Sequence, residues 1–258
     1  MVDFAETGMA LTTAGLDEAS HAAGIGLPEI WTVVSVETSG CGFLPDRRPK
    51  ILFERHIFHR LTGGRYDADD PDISQPTAGG YGPGGAHQYE RLAAAIRYDR
   101  TAALQSASWG MGQIMGENFR AAGFARVEDM VNAMVASEDG QLLAGVKFMV
   151  ANGMTAPLRD RNWAGFARRY NGPDYARNNY DGHLQHFYQK YTDSSTPNLQ
   201  IRAAQVYLVY NGITHLAVDG VAGPSTEAAV RQFQRSIGVE PSGIIDDALI
   251  TQLLARLQ

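Results

Sequence analysis

Pro28-Glu29-Ile30-Trp31-Thr32-Val33-Val34-Ser35-Val36-Glu37-Thr38-Ser39-Gly40 reads as one helix carrying an acid at its far end. Proline is comfortable in the first helical turn, so Pro28 opens the helix, and Gly40 and Gly42 close it after about residue 39. At helical spacing Ile30, Val33, Val34 and Glu37 share a face, which is the buried one. An unpaired carboxylate on such a face is costly, so Glu37 needs either a partner or a raised pKa. A raised pKa is what a general acid requires near neutral pH. The alternative is a helix-end glutamate turned to solvent.

Outward from this helix, Pro45-Asp46-Arg47-Arg48-Pro49 reads as a loop and Ile51-Leu52-Phe53-Glu54 as a short strand. A helix over 56–61 follows, stopped by Gly63-Gly64, and then a long Gly-, Pro- and Asp-rich loop over 62–86. Helices are predicted at 87–98, 100–107, 109–118, 127–151, 162–170 and 174–191. The polar, Pro-containing stretch Thr192-Asp193-Ser194-Ser195-Thr196-Pro197-Asn198 marks a seam. It divides the chain into 1–192, a linker at 193–198, and 199–258.

Composition narrows the function. Lys plus Arg is 22 against 28 for Asp plus Glu, a net charge of −6 with no basic cluster, which argues against nucleic-acid binding. The single cysteine, Cys41, cannot form an internal disulfide and reads as a small buried hydrophobe, in keeping with a reducing compartment. The first residues show neither a cationic nor an apolar signal region, and no stretch approaches the roughly 18 apolar residues of a membrane span. The histidines (His56/His59 and His183/His186 at i,i+3) lack a zinc-site frame, so neither metal nor cofactor is expected.

The last third has a sharp pattern. A helix over 199–210 leads to Asp219-Gly220 and Gly223-Pro224, then Thr226, Ala229-Val230 and Phe233-Gln234, with Ser225 as the expected cap. A second turn at Pro241-Ser242-Gly243 precedes a third helix over 247–257. With Gln205 in the first helix, this segment resembles the three-helix peptidoglycan-binding domain of cell-wall hydrolases. If it binds wall polymer, Gln205, Tyr207, Asn211 and Gln234 are the candidate contacts. Phe233 and Val230 read as core.

The first two thirds carry a second resemblance. The Trp31–Gly40 segment is similar to the acid-bearing helix of lysozyme-like glycan hydrolases. Ser108-Trp109-Gly110-Met111-Gly112-Gln113-Ile114-Met115 is similar to a motif of goose-type lysozymes and lytic transglycosylases, and Ala167-Arg168-Arg169-Tyr170-Asn171-Gly172-Pro173 resembles another of theirs. Gly42-Phe43-Leu44-Pro45-Asp46, Arg48 to His56 and Phe58 to Gly64 complete a likeness over about 20–192 to the N-acetylmuramidase domain family of bacteriophage endolysins. The resemblance implies a mainly α, lysozyme-like catalytic domain with a small β region. It also implies cleavage of the β-1,4 bond between N-acetylmuramic acid and N-acetylglucosamine.

On that resemblance Glu37 is the general acid. Glu54 is the candidate for activating water, with a buried structural acid as its alternative, and Asp46 is the next choice. Gln113, Tyr170 and Asn171 are expected along the glycan groove, His56 beside Glu54 or the sugar, and Tyr66 and Tyr81 on a loop able to close over the glycan. The competing functions are a lytic transglycosylase, a glucosaminidase and a non-catalytic wall-binding protein. The expected partner is peptidoglycan, met by a monomer that is made in the host cytoplasm and needs a separate membrane pore to reach the wall (the periplasm in a Gram-negative host).

Overall fold

The computed structural model describes residues 4–38 and 40–257. Helix α1 (Thr13–Ala23) is capped by the Thr12 hydroxyl and stopped by left-handed Gly24. Helix α2 (Leu27–Glu37) starts with Pro28 in its first turn and buries Ile30, Trp31, Thr32, Val33 and Val34. It ends about two residues before its predicted terminus, because Thr38 is extended and its hydroxyl bonds back to Val34 O. Ser39, where the sequence places the helix end, lies outside the described residues.

Strand β1 (Ile51–Phe53) leads into α3 (Arg55–Thr62), and α4 (Ala86–Tyr98) and α5 (Arg100–Gln105) follow the long loop. That loop is pinned to the protein by two buried polar residues of α4. Gln88 accepts from Phe53 N and donates to Tyr81 O and Pro83 O, while Arg91 donates to Phe53 O, Tyr81 O and Asp72 O.

The helix predicted over 109–118 does not form. Its place is taken by β2 (Ala107–Trp109), β3 (Ile114–Met115) and a 3-10 turn at Gly116–Asn118. Strand β2 pairs antiparallel with both neighbours, with Ile51 opposite Trp109 and Ser108 opposite Met115. The turn between β2 and β3 needs left-handed backbone at Gly110 (φ 68°) and Gln113 (φ 45°). A Cβ on Gly110 would also lie 2.7 Å from the Gln141 side chain.

The predicted single helix over 127–151 is two, α6 (Val127–Ala136) and α7 (Glu138–Ala151). Ser137 between them is extended, pairs as an isolated bridge with Met9, and caps α7 through Gly140 N. The Ser-Glu-Asp at 137–139 is an N-terminal signal, a cap followed by acids in the first turn. Helices α8 (Thr155–Arg159) and α9 (Trp163–Asn171) follow. The predicted helix over 174–191 becomes a 3-10 segment, Pro173–Asn178, and α10 (Tyr180–Asp193). Asn179, in the left-handed region at φ 48°, makes the break.

Helices α11 (Leu199–Tyr210), α12 (Pro224–Ser236) and α13 (Asp247–Ala255) form the last unit. Ser225 does not cap α12. Pro224 is already helical, so the cap position falls to Gly223 and Ser225 lies inside the first turn.

Three apolar clusters result. One joins the sheet to α4, α5 and α6, and one gathers α1, α2, α7, α9 and α10. The third belongs to α11–α13 but also takes in Ala10 and Cys41. The last unit is therefore docked on the first. Arg202 forms a buried ion pair with Glu138, the two being 2% and 0% exposed, and also donates to Gly40 O. Tyr207 OH accepts from Ala10 N, and Tyr210 OH donates to Gly8 O.

Candidate active site

Glu37 ends α2 between two cavities of opposite character. The smaller, about 30 Å³, is walled mainly by Val33, Val34, Leu142, Val146 and Met149, with Tyr170 beside the acid. The larger, about 320 Å³, is an open cleft lined by Lys50, Ile51, Gly85, Gly110, Met111 and Gln113. Burial raises the Glu37 carboxyl from 4.5 to about 7, against a hydrogen bond from Tyr170 that favours the charged form. The single Tyr170 hydroxyl proton is divided between Glu37 and Gly112 O, 3.1 Å away, and burial followed by the Glu37 charge pushes its own phenol well up.

A second phenol meets the same carboxylate. Tyr180 OH donates to Glu37 Oε1, and the Tyr170 and Tyr180 rings lie 6.5 Å apart, nearly parallel. The sequence alone does not single out Tyr180, because a continuous helix over 174–191 assigns it no special place. The pattern able to reveal it is Asn178-Asn179 before an aromatic, where a helix restarts.

Gln113 reaches the cleft from the β2–β3 turn. Its oxygen accepts from Ser108 Oγ and its amide donates to Lys50 O and Gly110 O, so it braces the cleft floor. Asn171 is exposed at the end of α9.

Several candidates sit elsewhere. Glu54 caps no helix through its side chain and lines neither Glu37 cavity; its Oε1 accepts from Tyr81 OH at 3.2 Å. It follows Ile51 by three residues, roughly 10 Å along an extended chain. His56 Nδ1 lies 3.1 Å from Glu54 Oε2 without hydrogen-bond alignment. Asp46 closes on Arg48 at 2.5 Å. Tyr66 does not line the Glu37 cleft, because it stacks within an aromatic cluster, 4.6 Å from Tyr98 and 6.0 Å from Phe58. Tyr81 is held by Glu54, Gln88 and Arg91, leaving Gly85 as that loop's contribution to the cleft.

In the last unit the expected wall contacts turn inward. Gln205 is 1% exposed and is satisfied by Asp219, Gly220, Val221 and Thr226. Tyr207 is buried against Ala10, Gln234 is buried on Ser242 and Gly243, and Asn211 ties α11 to Leu253 O. All four brace the fold, as buried polar groups must find partners. An open cavity of about 300 Å³ in this unit is instead lined by Asn198, Gln200, Gly223, Thr226 and Glu227.

Residues 26–192 match the N-acetylmuramidase family profile. The chain belongs to the N-acetylmuramidase family. Residues 198–253 match a peptidoglycan binding domain, so this muramidase-family chain pairs a wall-cleaving domain with a wall-binding one. It is similar to the crystal structure of Burkholderia AP3 phage endolysin, with 41% sequence identity and a TM-score of 0.69, over 72% of this chain and 73% of that one. No curated protein sequence matches it. Among the described residues there is no cluster able to hold a metal ion, and no helix is long and apolar enough to cross a membrane.

Proposed function

We propose that this chain is a phage endolysin that hydrolyses the β-1,4 bond between N-acetylmuramic acid and N-acetylglucosamine, with Glu37 as general acid. The observation carrying this reading is Glu37 itself, placed between a small, mainly apolar cavity and an open cleft with its carboxyl pushed to about 7. A carboxyl so poised holds its proton at neutral pH and releases it to a glycosidic oxygen lying in the cleft. The lost proton leaves a carboxylate that the Tyr180 hydroxyl stabilises through Oε1. Gln113 and Lys50 also line the cleft. The protein reaches the wall from the host cytoplasm through a separate membrane pore, and α11–α13 raise its local concentration on the polymer.

One observation favours a second reading. Among the described residues lining the two Glu37 cavities, Glu37 is the sole carboxylate. Water activation by Glu54 then requires the substrate to span from the cleft to the end of β1. A lytic transglycosylase avoids that need, since the 6-hydroxyl of muramic acid is the nucleophile. Mass spectrometry of fragments from purified peptidoglycan, with and without borohydride reduction, separates the two. Hydrolysis leaves reducible muramic acid ends, and 1,6-anhydro ends refute it. Reducing glucosamine ends refute the choice of bond.

A further inference from the structure

A third cavity, about 510 Å³, lies between the two units. One wall comes from α2, α10 and the loop after α2, the other from α11 and the segment before α12. It shares Thr38, Cys41 and Lys50 with the Glu37 cleft, so the two adjoin at the end of α2. Among the described residues its lining carries the cations Lys50, Lys190 and Arg202 together with one acid. Its one acidic lining residue, Asp219, is held by Gln205 and by Val221 N, and the charge of Arg202 is matched by Glu138. Lys190 remains: it is exposed, its Nζ lies 5.4 Å from the Tyr191 ring centroid, and no carboxylate among the described residues pairs with it.

We propose that this cavity receives the acidic stem peptide borne by the muramic acid at the cleaved bond, with Lys190 meeting its free carboxylates. The inference rests on the muramidase reading of the Glu37 cleft. The peptide is amide-linked to the lactyl group of the very sugar bound there, so it must leave the cleft within a few bonds of Glu37. The neighbouring space is lined by a lysine on the α10 side and by apolar Trp31, Val34 and Phe187, which suit the peptide's alanyl side chains. Docking of the last unit therefore builds a substrate subsite as well as holding the polymer.

The test compares kcat/KM on glycan strands bearing uncross-linked stem peptides with the same strands stripped by an amidase, and adds the free stem peptide as a competitor. Lys190 is exposed on α10, so Lys190→Ala leaves folding intact. This variant is expected to lose about tenfold on peptide-bearing strands. It loses nothing on stripped ones, Lys190→Arg recovers most of the rate, and the free peptide inhibits wild type more strongly than Lys190→Ala. Equal losses on both substrates, no loss on either, or equal inhibition by the free peptide overturns the subsite. A wild type that leaves no reducing muramic acid ends on any substrate refutes the hydrolysis reading instead.

Discussion

Arg202→Ala removes one half of an ion pair that joins the two units. Glu138 is fully buried at the start of α7, and its carboxylate accepts from Leu11 N at 3.0 Å, Gly42 N at 2.9 Å and both terminal nitrogens of Arg202. Burial works to raise its pKa, but the Arg202 charge and these hydrogen bonds bring it below the ordinary carboxyl range. Breaking a buried pair from one side costs about 3–5 kcal/mol, because the remaining charge loses its compensation. Two main-chain donors still reach Glu138, which places the loss near the lower end, about 3 kcal/mol. For a chain of this size that corresponds to about 6–12 °C in Tm. Thermal and urea unfolding followed by circular dichroism read it. Replacing both partners, Glu138→Gln with Arg202→Met, recovers most of the loss. A lowered native pKa means that the pair's stability is present above the ordinary carboxyl range and lost as pH falls through the lowered value. The Tm gap between wild type and Arg202→Ala therefore narrows in acid. A variant within about 2 °C of wild type at neutral pH would refute the buried clamp.

Further outcomes follow from the same geometry. Truncation after residue 193 strands Glu138 without Arg202, so the isolated catalytic unit is destabilised and loses activity on short soluble chains as well as on whole walls; undiminished activity on soluble chains would show that the units are independent. Because the Glu37 carboxyl is raised from 4.5 to about 7, the wild type loses about 3 kcal/mol of stability relative to Glu37→Gln as pH rises through that interval, measured by urea unfolding across pH. The hydrogen bond from Tyr170 favours the charged form, so Tyr170→Phe moves the alkaline limb of the pH–rate profile upward, and Tyr180→Phe does the same; a downward movement would assign the hydroxyls the opposite role. Glu54→Gln disturbs the Tyr81 contact and lowers kcat less than about tenfold, whereas Glu37→Gln lowers it by about a thousandfold or more.

The helix bearing Glu37 was legible because its apolar spacing, its proline and its closing glycines agree. The three-helix unit was legible for the same reason. Residues 109–118 misled because Met111, Ile114 and Met115 permit a helical spacing. The deciding facts are tertiary: Trp109 is buried with its Nε1 donating to Leu104 O, and Gly110 must turn left-handed beside Gln141. In the sequence Gln205 and Gln234 are candidate contacts because a ligand on such a unit meets polar side chains in a shallow groove. They suit buried turns equally well, and only the three-dimensional partners distinguish the two. Glu138 and Arg202, 64 residues apart, have no local signature as a pair. Tyr180 was hidden by a helix break that rests on one asparagine adopting a left-handed conformation.

Whether Glu37 holds a proton at neutral pH can be read from its own carboxyl. With glutamate side-chain carboxyls labelled by carbon-13, the difference between wild type and Glu37→Gln isolates a single resonance for titration by NMR. A resonance absent from the variant and titrating near 7 establishes the protonated acid on which the chemistry depends. Titration near 4.5 would leave Glu37 ionised at neutral pH and remove it as the proton donor.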